Sequence, residues 1–263
     1  MSFFSAGKYK LDLSKKTYVM GILNLTPDSF SDGGKWNDSE NSVKRAVEIQ
    51  EQGADILDIG AQSTRPGFVE ISAQEEWNRL KFTLENIKNK IKIPISIDTF
   101  YPEVAEKALA LGADIINDIT GFKNPEMFEV TAKSDCGIII MHNISDANIK
   151  SFFKKQLLKA ESFDINRSRI CFDPGIGFNK NQVQDAYIIK NIQNIKIPDV
   201  ALLVGLSRKR VIGVNCGNPP PEKRLAGTIA ANTLAIHGGA NIIRVHDVKE
   251  AVQAAQVTDA ILI

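Results

Sequence analysis

The residues able to do chemistry in this 263-residue chain gather into short polar phrases, each placed after an apolar run. Asn24-Leu25-Thr26-Pro27-Asp28-Ser29-Phe30-Ser31-Asp32-Gly33-Gly34 follows the first run, and Gly60-Ala61-Gln62-Ser63-Thr64-Arg65-Pro66-Gly67 the second. The other six lead to Asp98-Thr99, Asn117-Asp118, Met141-His142-Asn143, Asp173-Pro174-Gly175-Ile176-Gly177-Phe178, Ser207-Arg208-Lys209 and Arg244-Val245-His246-Asp247. Asn24, Thr64, Arg244 and His246 offer donors or a neutral metal ligand, and an Arg fork suits phosphate oxygens. Asn24 and Asp32 offer oxygen ligands to a hard cation such as Mg2+, which also takes phosphate oxygens, so this set reads as a diphosphate site. Asp98, Asn117 and Asp173 offer two carboxylates and an amide. A carboxylate accepts two parallel hydrogen bonds from an N–C–NH2 edge such as that of a 2-amino-4-oxo heterocycle. Lys209 adds a cation. Singly, each has a plainer reading. A strand-end Asp is often a helix N-cap, Arg208-Lys209-Arg210 a solvated basic turn, and Gly175-Ile176-Gly177 a dinucleotide match lacking its third glycine. His142 and His237 read as structural. Joint placement carries the functional case.

The elements that must position these groups are eight β-branched runs: Tyr18–Leu23, Ile56–Ile59, Ile95–Ile97, Ile115–Ile116, Ile138–Met141, Ile170–Phe172, Ala201–Val204 and Ile242–Val245. Helical patterns lie between them at Ser39–Gln52, Ser72–Asn89, Pro102–Leu111, Pro125–Lys133, Ile149–Glu161, Gln182–Gln193, Pro221–His237 and Val248–Ala260. Strands buried on both faces read as continuous apolar runs, and parallel strands need helical crossovers. Eight such units predict an α/β fold, a (β/α)8 TIM barrel forming one domain over residues 1–263, with chemistry at the C-terminal strand ends. A doubly wound open sheet is the alternative. Gly53-Ala54-Asp55, Gly112-Ala113-Asp114 and Gly239-Ala240-Asn241 read as barrel-bottom turns, since Gly ends helices in the left-handed conformation. Lys8–Leu13 reads as a short strand or hairpin closing that bottom.

Hydrophobic residues at 43% and charged residues at 24% exclude a disordered or low-complexity chain. The formal charge of +1 gives no broad positive field for nucleic acid. Cys136, Cys171 and Cys216 are far apart and odd in number, which argues against a disulfide framework or zinc site and for buried or half-buried free thiols. The first ten residues hold no apolar signal segment, and no run nears a membrane span, so a cytoplasmic protein is expected.

Met20–Gly34, Ser63–Gly67, Asp173–Phe178, Gly205–Lys209 and Arg244–Val248, in this order, strongly resemble the signatures of dihydropteroate synthase, a pterin-binding enzyme family. The resemblance covers about residues 17 to 261. It implies a transferase of folate biosynthesis. The expected reaction joins 7,8-dihydropterin-6-ylmethyl diphosphate to p-aminobenzoate and releases diphosphate and 7,8-dihydropteroate by a dissociative, SN1-like route. Carried over by motif, Asp98, Asn117, Met141, Asp173 and Lys209 hold the pterin, and Asn24, Thr64, Arg244 and His246 hold the diphosphate. Asn24 and Asp32 serve Mg2+. Phe30, Thr64, Arg65, Pro66, Phe178, Ser207 and Lys209 surround p-aminobenzoate. Asp98, Asp173, Lys209 and Arg244 form the implied catalytic set. The resemblance also implies a homodimer and a sulfonamide target.

The chain departs from the family pattern in four places. Gly60-Ala61-Gln62 replaces Gly-Gly-Glu, and Asn143-Ile144-Ser145 replaces the phrase expected after Met-His. The stretch from Met141 to Asp173 is short, and the residues after Phe178 lack the usual Gly-Lys-Thr and later Asn. A pterin-binding paralogue without synthase activity is the main alternative. A pterin-dependent methyltransferase is disfavoured, because Ser63-Thr64-Arg65-Pro66 and Ser207-Arg208-Lys209 suit p-aminobenzoate.

Overall fold

The computed structural model describes residues 2–25, 35–62, 69–145 and 148–262, the side chains of 35–39 excepted. The strands are β1 (Phe3–Ala6), β2 (Tyr9–Asp12), β3 (Tyr18–Asn24), β4 (Ile56–Gly60), β5 (Ile95–Asp98), β6 (Ile115–Asp118), β7 (Gly137–Met141), β8 (Ile170–Asp173), β9 (Ala201–Gly205) and β10 (Ile242–Val245). The helices are α1 (Lys35–Glu51), α2 (Ala73–Ile87), α3 (Pro102–Ala110), α4 (Glu126–Ala132), α5 (Ile149–Glu161), α6 (Gln182–Lys190), α7 (Ile192–Ile195), α8 (Arg210–Asn215), α9 (Leu225–His237) and α10 (Val248–Leu262). Strands β3 to β10 are parallel and close into a barrel, β10 pairing with both β3 and β9. The expected (β/α)8 fold is what forms.

Side chains alternate along a strand, so each strand divides its residues between two cores. One parity, including Val19, Leu57, Ile97, Ile116, Ile140, Phe172, Val204 and Ile243, belongs to the core shared with the helices. The other, including Met20, Ile56, Ile115, Ile139, Cys171, Leu203 and Ile242, fills the lower barrel interior. The hairpin β1–β2 closes this end: Phe4 and Ala6 are fully buried in the interior cluster. Gly137 opens β7 because a β-carbon there would lie 2.7 Å from Cζ of Phe4.

Several helix starts follow side-chain capping. Ser72 accepts from the Glu75 N–H at α2, and Asn181 and Gln184 form a reciprocal capping box at α6. The helix expected over 182–193 is two pieces. Asn191 leaves the helical region at φ −120°, while its side-chain amide donates to the Tyr187 carbonyl, a local bond that competes with the helix. The helix expected from Pro221 is a 3-10 turn over Pro221–Lys223, and α9 begins at Leu225. The hairpin expected at the barrel bottom forms, with its first strand β1 lying before the 8–13 stretch read for it, while helix α8 had no counterpart in the sequence reading. All three thiols are free, and Cys216 is exposed where a buried or half-buried thiol was expected. No described helix is long and apolar enough to cross a membrane.

Candidate active site

The parity that fills the lower barrel with apolar side chains turns polar at the C-terminal strand ends. Asn24, Gly60, Asp98 and Asn117 are successive register partners across β3, β4, β5 and β6. Met141 is paired with Asp173, and Gly205 with Arg244. The strand ends thus lay these residues side by side around one mouth. Two glycines keep it open. A β-carbon on Gly60 would meet Cβ of Asp98 at 3.5 Å and Oδ1 of Asn24 at 3.9 Å. One on Gly205 would meet Nζ of Lys209 and Cβ of Arg244, both at 3.7 Å.

Arg244 joins two carboxylates. Its Nε donates to Oδ2 of Asp58 at 2.7 Å and its guanidinium also reaches Oδ2 of Asp98 at 2.9 Å. Asp58 lies one inward layer below the mouth, fully buried, and accepts from Ser96 at 2.6 Å and from the Asn117 amide at 3.4 Å. It therefore ties Arg244, Ser96 and Asn117 into one network. Burial works against the Arg244 charge, yet Asp58 and Asp98 hold its pKa above the usual arginine range. Burial raises the Asp98 pKa, with Asp58 and Glu76 adding to the rise and Arg244 opposing it. Burial also raises that of Asp173, against the pull of Lys209 and of the Gly175 N–H, which donates to Oδ1 at 2.7 Å. Gly175 takes φ +64°, and a β-carbon there would overlap the His142 carbonyl oxygen.

Lys209 enters from the far side. Its Nζ donates to the Ile176 carbonyl at 2.5 Å and lies 4.9 Å from the centre of the Phe178 ring. Burial lowers its pKa to about 8, with Asp173 opposing. His246 Nδ1 is 3.0 Å from Oγ of Ser207, which also accepts the His246 N–H. Arg208 points elsewhere. It sits at φ +60° and forms a two-pronged ion pair with Asp247.

Asn24, Asp98, Asn117, Met141, Asp173, Phe178, Ser207, Lys209, Arg244 and His246 all lie at this end of the barrel. Phe30, Asp32, Thr64, Arg65 and Pro66 lie outside the described residues. Asp118 is a strand-end Asp that caps a turn and not the next helix: it accepts from the backbone N–H groups of Thr120 and Phe122, while α4 starts only at Glu126. His142 is buried and packs edge-on against Phe152.

The sequence reading passed over Asp58 and Lys180. An acid inside the run Ile56–Ile59 was an available signal. Lys180 donates to the carbonyls of His142, Gly175 and Phe178, and burial lowers its pKa to about 8. Nothing in its spacing marked that role. Two departures from the family pattern meet in space: Asn179 donates to Asn143 at 2.9 Å, and Gln184 to the Ser145 carbonyl at 3.4 Å. Gln62 is buried and accepts the Ile71 N–H at 2.7 Å, tying the two ends of the 63–70 segment.

A parallel barrel with carboxylates, an amide and two cations at its C-terminal mouth is the frame of a small-molecule enzyme. Residues 20–246 match the family described as pterin binding enzyme. Dihydropteroate synthase of Clostridium beijerinckii is 42% identical, over 97% of this chain and 98% of its own. That of Escherichia coli K12 is 38% identical, over 100% and 97%. Dihydropteroate synthase of Xanthomonas albilineans, solved with 4-aminobenzoic acid, superposes with a TM-score of 0.94 at 36% identity, covering 100% of this chain and 99% of that one. The Burkholderia cenocepacia enzyme, solved with 7,8-dihydropteroate, gives 0.90 at 32% identity, covering 99% and 96%. The chain belongs to the pterin-binding enzyme family, among its dihydropteroate synthases. It is a transferase of folate synthesis.

Proposed function

We propose that the protein condenses 7,8-dihydropterin-6-ylmethyl diphosphate with p-aminobenzoate to give 7,8-dihydropteroate and diphosphate, by a dissociative route. The observation that carries this reading is the mouth itself, where Asp98, Asn117, Asp173, Lys209 and Arg244 converge. Asp98 and Asp173 accept hydrogen bonds from the pterin N–H edge, and Met141 packs against the ring. Loss of diphosphate leaves a cation at the pterin methylene, delocalised into the ring. Two carboxylates nearby stabilise that cation more than the neutral substrate. Arg244, with Asn24, Thr64 and His246, holds the diphosphate. Ser207, Lys209 and Phe178, with Phe30, Thr64, Arg65 and Pro66, surround p-aminobenzoate, whose amine attacks the methylene and then loses a proton.

The donors fit Mg2+. Asn24 presents a hard amide oxygen at the end of β3, its Oδ1 3.9 Å from where a β-carbon on Gly60 would lie, and Asp32, which lies outside the described residues, would supply the second oxygen. When bound, Mg2+ takes up charge on the departing diphosphate. The same pocket would take sulfonamides, which share an aryl amine and an acidic head with p-aminobenzoate. The working unit would be a cytoplasmic homodimer. Purified protein given both substrates should release diphosphate in step with dihydropteroate, and a sulfonamide should compete with p-aminobenzoate. Pterin binding without diphosphate release would instead mark a paralogue that has lost the reaction.

A further inference from the structure

The peptide unit between Ile176 and Gly177 has a charged partner at each end. Its carbonyl accepts from Nζ of Lys209 at 2.5 Å, and its N–H donates to Oδ1 of Asp185 at 2.8 Å. Asp185 lies on α6, on the far side of this turn from the mouth, and is fully buried. Its Oδ2 has no hydrogen-bond partner among the described residues. Gly177 takes φ +84°, and a β-carbon there would press on Cδ of Lys209 at 3.2 Å, so the turn and the lysine stem are in close contact. A buried carboxylate costs stability unless its charge is used. Here carboxylate, N–H, C=O and ammonium form one polarised line, in which each bond strengthens the next.

We infer that Asp185 is a positioning residue for Lys209, seating the turn whose Ile176 carbonyl receives its Nζ and holding that Nζ as an ammonium through the Ile176–Gly177 peptide. The inference rests on the proposed reading in that Lys209 serves the substrates. Four charged groups act on Lys209. Asp173 on β8 and Asp185 on α6 favour its protonated form, while Arg244 on β10 and Lys180, just before α6, oppose it. Burial is the largest influence and lowers the Lys209 pKa to about 8; these four charges act against that background, and the two acids oppose further loss of its proton.

Asp185→Asn is the discriminating variant, because an amide oxygen can still accept the Gly177 N–H while the charge is gone. The Lys209 ammonium, followed by NMR through its 13Cε signal and assigned by the signal's loss in Lys209→Met, should titrate about half a pH unit or more lower in Asp185→Asn. The upper limb of the kcat/KM profile should move down by the same amount, a loss of about threefold on that limb with little change near pH 6.5. Asp185→Ala, which loses the tie as well, should also raise the KM for p-aminobenzoate. Identical Lys209 titrations in wild type and Asp185→Asn would overturn the inference. The NMR comparison uses the free protein, so it decides the matter even if the synthase assay shows no turnover, an outcome that would count against the proposed function alone.

Discussion

Asp98 and Asp173 face the same mouth with different partners, Arg244 for one and the Gly175 N–H and Lys209 field for the other. Substituting either by Asn keeps the shape and removes the charge that, in the proposed reaction, stabilises a cationic methylene. Turnover should fall by about two orders of magnitude or more in each, with the fold intact by circular dichroism. Near-normal kcat/KM in both would take them out of the mechanism. Asp58 acts one layer lower. Asp58→Asn weakens the hold on Arg244, Ser96 and Asn117 together, and should cost roughly 1–3 kcal/mol in thermal unfolding as well as activity. An unchanged melting temperature would show that Asp98 alone secures Arg244.

Helix α2 carries a buried acid, Glu76, whose two carboxylate oxygens meet hydrogen-bond geometry with none of the described residues, although Thr99 lies beside it. Burial raises its pKa to about 7. The folded value lies above the unfolded one. Its stabilising contribution is therefore complete below the ordinary carboxylate value and lost as pH rises through about 7. Above that, the folded state holds a buried charge at a cost on the order of 3 kcal/mol. Glu76→Gln should melt higher than wild type at pH 8, and the gap should close as pH falls toward the ordinary glutamate range. A gap independent of pH would assign the effect to packing. The hairpin β1–β2 works at the opposite end of the barrel. Phe4→Ala empties the plug beneath Met20, Ile115 and Leu203, and should cost about 3–5 kcal/mol in denaturant unfolding. The remaining folded fraction should keep its kcat, since the mouth is built at the other strand ends.

The barrel as a whole divides stability from chemistry. Its lower interior is filled with apolar side chains and its upper rim with polar ones, on the same strand parity. The proposed Mg2+, held by one amide, one carboxylate and the substrate's own oxygens, would contribute little to folding. A chelator should therefore abolish diphosphate release, and added Mg2+ should restore it, while the melting temperature moves by less than about 2 °C. Full activity in excess chelator would remove the metal from the reaction, and a large fall in melting temperature would place it in the fold.

The order of runs and crossovers pointed to a parallel α/β fold and favoured the barrel over an open doubly wound sheet; the pairing of β10 with β3 decided closure. The polar phrases after those runs pointed to the C-terminal end of the barrel, where Asn24, Asp98, Asn117, Asp173 and Arg244 stand last or next to last in their strands on one parity. Local breaks such as Asn191 were not legible, because a side-chain bond to the preceding turn decides them. Asp58, Lys180 and Asp185 were not legible as a set either. Asp58 matters through Arg244, 186 residues away, and Asp185 through a peptide that touches Lys209. Neither link has a sequence period. Each exists only because barrel closure and the α6 turn bring distant charges into low-dielectric contact, where a lone buried charge is costly and a paired one directs the side chain it meets.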